Sequence, residues 1–547
     1  MMSFAYKALG LNLVFSLFAA AHTHSTQLPI VDLGYELHQA ISYEEHIGIY
    51  NFSNIRFAAA PVGDLRFRAP APPIVNRTTA QTGSEARICP QALPSWMPQS
   101  MSNAISYVTN GSITSMGPVL MDPRANEDCL FLDVVVPKKI FETSGKKRKG
   151  APVLVWIYGG GYTGGSKSGQ GSGSPVGLLR RGDNEFVYVA INYRLGAFGW
   201  LSGSTFQQNG AANAGLLDQR FALEWVQQYI HLFGGDPKRV TVIGESAGGG
   251  SILHQITAYG GSNGPVPFHQ AILQSPAFTP DQILNPDQQE RIFNQFLQFA
   301  NVSTLEEARR LPSSVLMEAN RQQVYNSPLG SFTYGPVVDG IFVPEAPSRL
   351  LRQKRLDTKV TAMLAYNGND GIIFSDFSLR NSSGYQNYIT GLFDLRLNET
   401  VYVSSQMYPP IFDGSHHYTD EISRAGATFQ EVFIQCNDIL LAVALENATF
   451  NYVFDVFPGL HAQDITATFD VDLDPTPGVF NPLIALQQLI TSFTLTGKPA
   501  TDLASHVPMY GRENALFYLN ATGIGMSRED PRVMGRCEEW YHILDTA

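Results

Sequence analysis

A short apolar strand that runs into a Gly-x-Ser-x-Gly turn constrains this chain more than any other feature. Residues 240–243 are apolar or β-branched, and Gly244, Ser246 and Gly248 follow directly. The five-residue pattern alone is weak evidence, because glycine and serine are common. Its context is specific, since small residues relieve crowding where a strand turns sharply into a helix. We therefore predict that Ser246 lies on a strained turn, where its hydroxyl can meet a general base.

A second glycine-rich turn upstream predicts donors for an oxyanion. The apolar run 152–158 ends in Gly159, Gly160 and Gly161. Glycines let backbone N–H groups approach a substrate oxygen, because no Cβ stands in the way. The plainer alternative is an ordinary glycine-rich connection between a strand and a loop.

These two motifs resemble those of the type-B carboxylesterase/lipase family, which includes the cholinesterases and fungal secreted lipases. Three further blocks carry the resemblance, at residues 127–134, 192–199 and 213–219. It extends from about residue 30 to the C-terminus and implies an α/β-hydrolase fold, with a mainly parallel central sheet flanked by helices. We expect one domain over residues 22–547, with inserted roof segments near 279–357 and 375–440.

Continuous apolar runs agree with a parallel sheet, whose strands are buried on both faces. Such runs predict strands near the following positions: 153–158, 185–192, 239–243, 270–274, 359–366 and 451–456. The clearest helical pattern covers residues 216–232, and Gly234, Gly235 and Pro237 after it indicate a stop.

The resemblance places an acid after a later strand, in the chain order serine, acid, histidine. Asp370 follows the strand near residue 366, in a setting where the family more often carries Glu. An ordinary Asp-Gly turn is the alternative interpretation, and Asp376 is the second candidate for the acid.

His461 is the predicted base. It lies in a loop after the last predicted strand and matches the family's His-Gly-x-Asp/Glu pattern, with Ala462 in place of Gly. The expected triad is then Ser246, Asp370 and His461.

The remaining site predictions also follow from the resemblance. The N–H groups of Gly160, Gly161 and Ala247 are expected to bind the oxyanion. Glu245 precedes the nucleophile, as in the cholinesterases, and is either a buried acid that supports the site or a packed, hydrogen-bonded residue. This chemistry needs no cofactor and no metal ion.

Four cysteines allow three pairings. The resemblance implies disulfides between Cys89 and Cys129 and between Cys436 and Cys537. The first disulfide would close a flap near residues 89–129 that is rich in apolar side chains.

The N-terminus predicts export. Residues 1–21 read as a signal peptide, because a basic start precedes an apolar stretch too short to span a bilayer. Eight sequons fit a eukaryotic secretory route: Asn51, Asn76, Asn110, Asn301, Asn381, Asn398, Asn447 and Asn520. We expect a secreted, extracellular protein without stable membrane insertion.

The net charge limits the classes of molecule that this protein is expected to bind. The net charge of -11 argues against nucleic acid as a partner. The family resemblance implies a small-molecule ester as the expected partner. The predicted function is hydrolysis of soluble or medium-chain carboxylic esters through an acyl-enzyme. The alternatives are an interfacial triacylglycerol lipase and, in another class, a non-catalytic binding or adhesion protein. The sequence leaves the oligomeric state open.

Overall fold

The computed structural model describes residues 28–111, 122–145, 149–169, 174–278, 285–471, 473 and 480–546. Its strands are β1 Ile30–Asp32, β2 Glu36–Gln39, β3 Ser42–Glu44, β4 Ile49–Arg56, β5 Asn76–Gln81, β6 Phe131–Pro137, β7 Ala151–Ile157, β8 Val187–Ile191, β9 Gly235–Glu245, β10 Gln270–Gln274, β11 Thr361–Asn367, β12 Phe450–Asp455, β13 Ala515–Asn520 and β14 Gly523–Arg528.

The α-helices flank the sheet or form the inserted segments. They are α1 Met97–Thr109, α2 Lys138–Phe141, α3 Val176–Arg181, α4 Gly196–Trp200, α5 Ser204–Gln207, α6 Ala214–Tyr229, α7 Ala247–Ile256, α8 Pro286–Phe299, α9 Leu305–Arg310, α10 Ser313–Tyr325, α11 Pro347–Arg352, α12 Ser382–Phe393, α13 Leu397–Tyr402, α14 Glu421–Gln430, α15 Cys436–Ala444, α16 Gln463–Phe469, α17 Pro482–Thr496 and α18 Pro531–Thr546. A π-helical turn, Glu431–Gln435, joins α14 to α15.

An 11-stranded sheet runs through the protein in the order β14-β13-β12-β11-β10-β9-β7-β8-β6-β4-β3. Neighbouring strands from β13 to β8 pair in parallel, whereas the pairs toward both edges are antiparallel. The predicted α/β-hydrolase fold with a mainly parallel centre is therefore confirmed.

Burial explains why the central strands read as continuous apolar runs. All five residues of β8 are buried, and so are six of the seven residues of β7. Helices cover both faces of such strands, so each side chain meets apolar neighbours. The loops at the carboxyl ends of β9, β11 and β12 then lie at one edge of the sheet, and these loops carry the predicted catalytic residues.

Both predicted disulfides are confirmed. Cys89 is bonded to Cys129, and Cys436 is bonded to Cys537. The first joins the start of the flap to the chain just before β6, and the second ties α18 to the first residue of α15. The predicted signal peptide, at residues 1–21, lies outside the described residues.

Candidate active site

Ser246 lies in the turn between β9 and α7, in an unusual backbone conformation. Its φ is 55° and its ψ is −124°, which a residue with a Cβ rarely adopts. Such a conformation costs about 1–3 kcal/mol and persists only where the surroundings enforce it. A side chain on Gly248, in the first turn of α7, would overlap the carbonyl of Ile157, so the helix can start this close to β7 only with glycine there.

Three predicted residues meet at this edge of the sheet. The Oγ of Ser246 is 2.8 Å from Nε2 of His461. The other ring nitrogen, Nδ1, is 2.7 Å from Oδ1 of Asp370. Asp370 is fully buried, while Ser246 and His461 each keep 8% of their surface exposed. The arrangement lets His461 accept the serine proton while Asp370 holds the ring's other nitrogen in its protonated form.

Hydrogen bonds from neighbouring residues hold both oxygens of the Asp370 carboxylate. The N–H of Asn367 donates to Oδ2 at 2.7 Å. The hydroxyl of Ser275 donates to the same oxygen at 3.0 Å, and the Asn367 side chain donates to Oδ1 at 3.3 Å. The family more often has Glu at this position, and the side chain of Asp is shorter. The shorter side chain still reaches hydrogen-bond donors, because these donors lie close to the backbone of Asp370. Asp376, the second candidate, does not join this group, since its carboxylate accepts from the nearby Ser378 N–H.

Two more buried acids surround the imidazole. Oε1 of Glu245 is 3.4 Å from Nε2 of His461. Asp464, three residues after the histidine, accepts a hydrogen bond of 3.1 Å from the Asn367 side chain. The sequence leaves two roles open for Glu245, and the contact favours a buried acid that supports the site. The position of Asp464 next to Asn367 was not predicted, although the His-x-x-Asp spacing is a signal for it.

Burial and neighbouring charges shift the pKa values of the ionisable groups around His461. Burial raises the pKa of Glu245 to about 8 and the pKa of Asp464 to about 6. Burial lowers the pKa of His461, but Glu245 and Asp370 more than offset this effect and raise it to about 9. The carboxylates of Glu245 and Asp370 thus favour the imidazolium that forms when His461 takes the serine proton.

The predicted oxyanion donors lie on two sides of Ser246. Gly160 and Gly161 have positive φ values of 109° and 62°. Within the described part of the chain, their N–H groups donate to no recorded acceptor. Ala247 is the first residue of α7, so its N–H has no partner within the helix. A Cβ on Gly161 would overlap the ring of Phe332, which lies directly against this turn.

Aromatic rings enclose the space beside Ser246. A cavity of about 30 Å³ touches Ser246, Gly161 and Ala247. Its other walls are mostly aromatic: Tyr162, Phe278, Phe332, Tyr334, Phe374, Phe429 and Phe433. Phe374, Phe429 and Phe433 form a stack with ring centres 4.2 Å apart, and Phe374 also contacts His461 edge-on.

The flap and the roof meet above this cavity. Trp96 precedes α1, and its ring Nε1–H donates to the carbonyl of Ser331 at 3.1 Å. The N–H of Ser95 donates to the Tyr325 carbonyl at 3.1 Å. Trp96 also packs edge-on against Phe332, so the predicted flap borders the site through its first residues.

The predicted glycosylation sites differ in exposure. The side chains of five are exposed: Asn76, Asn110, Asn301, Asn381 and Asn398. Asn51, Asn447 and Asn520 are partly buried, and the side-chain oxygens of Asn51 and Asn447 are fully enclosed. The partly buried side chains are less accessible to glycosylation than the five exposed ones.

The described residues contain no cluster of three or more His, Cys, Asp or Glu placed to hold a metal ion. Within the same ranges, no helix is long and apolar enough to cross a membrane.

The model of the Carboxylesterase family matches residues 38–520, and the chain belongs to this family. It is a carboxylic ester hydrolase by family and fold. A carboxylesterase named patB from Penicillium expansum is 39% identical, over 95% of this chain and 96% of its own length. A secreted lipase from Arthroderma benhamiae is 30% identical, over 77% of this chain and 83% of its own. Among solved structures, Aspergillus niger EstA matches with a TM-score of 0.78 and 25% identity, over 94% of this chain and 98% of its own.

Proposed function

We propose that this protein is an exported serine esterase that cleaves soluble esters through an acyl-enzyme intermediate. The observation that carries the proposal is the continuous contact from Ser246 through His461 to Asp370, next to two glycine N–H groups with no recorded acceptor among the described residues. A non-catalytic binding protein has no need to maintain a strained serine in contact with a base.

The geometry supports a two-step acyl transfer. Oγ of Ser246 attacks the ester carbonyl carbon while Nε2 of His461 takes its proton. The carbonyl oxygen becomes negative and is bound by the N–H groups of Gly160, Gly161 and Ala247; one such donor is typically worth about 100- to 1,000-fold in rate. His461 then gives the proton to the leaving alcohol. Water repeats these steps on the acyl-enzyme and releases the acid and the free serine.

The small volume of the aromatic cavity favours esters with short acyl chains over esters with medium-length chains. A cavity needs about 10–15 Å³ to hold one water, so about 30 Å³ admits roughly two groups of that size. An acetyl-sized group fits this space, whereas a medium or long acyl chain must extend beyond it. The interfacial lipase is the second candidate, because the relatives include a secreted lipase.

The nucleophile is tested by Ser246→Ala together with an organophosphate label. The variant should fold normally and lose at least about 10⁴-fold in kcat, because the hydroxyl carries the covalent step. Mass spectrometry should place the organophosphate adduct on Ser246 in the wild type. Ser262→Ala removes an exposed hydroxyl and is the matched control. Residual activity above about one percent of wild type in Ser246→Ala would reject this nucleophile.

The substrate class is tested with p-nitrophenyl esters of increasing acyl length and with tributyrin through its solubility limit. We expect the acetate to give the highest kcat/KM and tributyrin to show smooth saturation. A sharp rise in rate on emulsion formation, with good turnover of triolein, would favour the lipase. Phe332→Ala should shift the preference toward longer acyl chains, because it removes one wall of the cavity.

Export rests on the predicted signal peptide, the sequons and the disulfides. Expression of the whole chain in a fungal host should deliver the protein to the medium without its first residues. Digestion with an endoglycosidase should lower its apparent mass. Retention inside the cell with the N-terminus intact would contradict the proposal.

A further inference from the structure

A second cavity, of about 430 Å³, lies next to the loop that carries Asp370 and is distinct from the space beside Ser246. Gly368 and Asn369 line one wall, and α14 with the following π-helical turn lines another. The end of β14 and the start of α18 complete it. Its volume lies within the range that is typical of sites for small molecules.

The lining of this cavity is strongly acidic. Four carboxyl groups face it, those of Glu431, Asp455, Glu529 and Asp530. The only lining residue with a permanent positive charge is Arg528. The Arg528 side chain is 71% exposed and forms an ion pair with Glu513, so it does not neutralise the carboxylates of the cavity.

Two of the four acids already have cationic partners. Arg536 forms two hydrogen bonds with the Glu431 carboxylate, at 2.6 and 2.7 Å. The guanidinium of Arg532 binds Asp530, at 2.9 Å from Oδ2. These two carboxylates are therefore satisfied within the protein.

Glu529 is buried at the cavity and has no such partner among the described residues. It is only 5% exposed, and no side chain of the described residues forms an ion pair or a hydrogen bond with it. The backbone N–H of Asp530 partly offsets the effect of burial on the pKa of this carboxyl group. A buried carboxylate without a partner is costly, because burial removes the water that would stabilise its charge. Burial, with the charge of Glu431, raises the pKa of Glu529 to about 7.

We propose that this cavity binds a small organic ammonium ion, with Glu529 as its counter-ion. An ammonium group supplies both the positive charge and the N–H donors that this carboxylate lacks. Asp455, which is more exposed, lies at the cavity and has no cationic side-chain partner among the described residues, so it supplies a second negative charge. The described residues hold no three-ligand cluster for a metal ion, which favours an organic cation.

The occupant would contact the support of the triad acid. Gln430 lines the cavity, and its side chain bridges the Asp370 loop. It accepts from the N–H of Gly371 and donates to the carbonyl of Asn367, both at 3.4 Å. The proposed site does not depend on ester hydrolysis. A binding measurement alone therefore tests it.

The test is calorimetric titration of the whole protein with n-butylammonium chloride at pH 8, with butan-1-ol as the neutral probe of matched size. We expect saturable binding of the ammonium ion with a Kd of about 1 mM or tighter, and none of the alcohol. Glu529→Gln should weaken binding by at least about tenfold, since it removes the charge from a buried partner. Glu224→Gln, which neutralises an exposed acid on α6, should bind as wild type does.

Three outcomes would overturn the proposal: no saturable binding of the ammonium ion, equal binding of the alcohol, or unchanged affinity in Glu529→Gln. Circular dichroism checks that the variants are folded. If Glu529→Gln does not fold, Asp455→Asn takes its place, because its side chain is exposed enough to be replaced without loss of packing. Asp455→Asn should weaken binding about two- to fivefold, and unchanged affinity there would also reject the site.

Discussion

The substitution Asp370→Asn tests the proposed acid most directly, because the local hydrogen bonds dictate how the new amide must sit. Oδ2 of Asp370 accepts from the N–H of Asn367 at 2.7 Å. An amide NH2 placed there would face another donor at close range. The amide oxygen therefore favours this position, because the donors to Oδ1 are farther away, at 3.2 and 3.3 Å. The NH2 group is then turned toward Nδ1 of His461, where Oδ1 now lies at 2.7 Å. The imidazole can accept this hydrogen bond only if its proton moves to Nε2.

The size of the effect follows from that tautomer. With a proton on Nε2, His461 donates to Ser246 and cannot take the serine proton. The same change in a serine protease lowers kcat by about 10⁴, which corresponds to about 5.4 kcal/mol of transition-state stabilisation. We expect a loss of similar size here, since the carboxylate is fully buried and no water can replace it.

The assay is steady-state hydrolysis of p-nitrophenyl acetate, with thermal unfolding measured in parallel. Asp376→Asn is the control, because it changes an acid six residues away that does not contact His461. We expect kcat to fall about 10⁴-fold in Asp370→Asn, with KM little changed, and to stay near the wild-type value in Asp376→Asn. A loss below about tenfold in Asp370→Asn, or a larger loss in Asp376→Asn, would refute the assignment.

Three further substitutions test other parts of the site. Glu245→Gln removes a carboxylate that raises the pKa of His461, so the acid limb of kcat/KM should move to lower pH; an unchanged or higher midpoint would contradict this. Ala462→Gly replaces a residue at φ 66° and should raise the unfolding free energy by up to about 1 kcal/mol, with a lower melting temperature as the contrary result. Gly161→Ala should reduce kcat by about 100- to 1,000-fold, because the new Cβ overlaps Phe332 and shifts an oxyanion donor; near-normal kcat would exclude Gly161 from that role.

The sequence predicted what is encoded in contiguous motifs. The turn at Ser246 and the glycines at 159–161 each combine a strand with small residues over a few positions, so they could be recognised locally. The stop signal after the predicted helix is confirmed, because the helical turn Ile230–Phe233 ends at Gly234. The start of the next strand was predicted too late, near residue 239, whereas β9 begins at Gly235, which pairs with Ala151 before the register shifts. Tertiary pairing overrides the local preference there.

The aromatic cavity could not be predicted, because its walls come from separate parts of the chain. Phe332 belongs to a loop after α10, Phe374 follows the Asp370 loop, and Phe429 lies at the end of α14. No periodicity links these positions, and their meeting depends on how the inserted segments fold over the sheet. The sequence also could not predict that Glu529 has no cationic partner among the described residues, because this depends on the three-dimensional surroundings of its carboxylate.

The contact between Trp96 and Ser331 affects how the enzyme can be altered by engineering. The flap and the roof hold each other through this bond and the one from Ser95 to Tyr325. If only the flap or only the roof is replaced by the segment of another esterase, the new residues will not match the contact surface of the segment that stays. Chimaeras that exchange the flap or the roof alone should therefore express poorly. Chimaeras that exchange both segments together should express well and acquire the acyl-chain preference of the donor esterase.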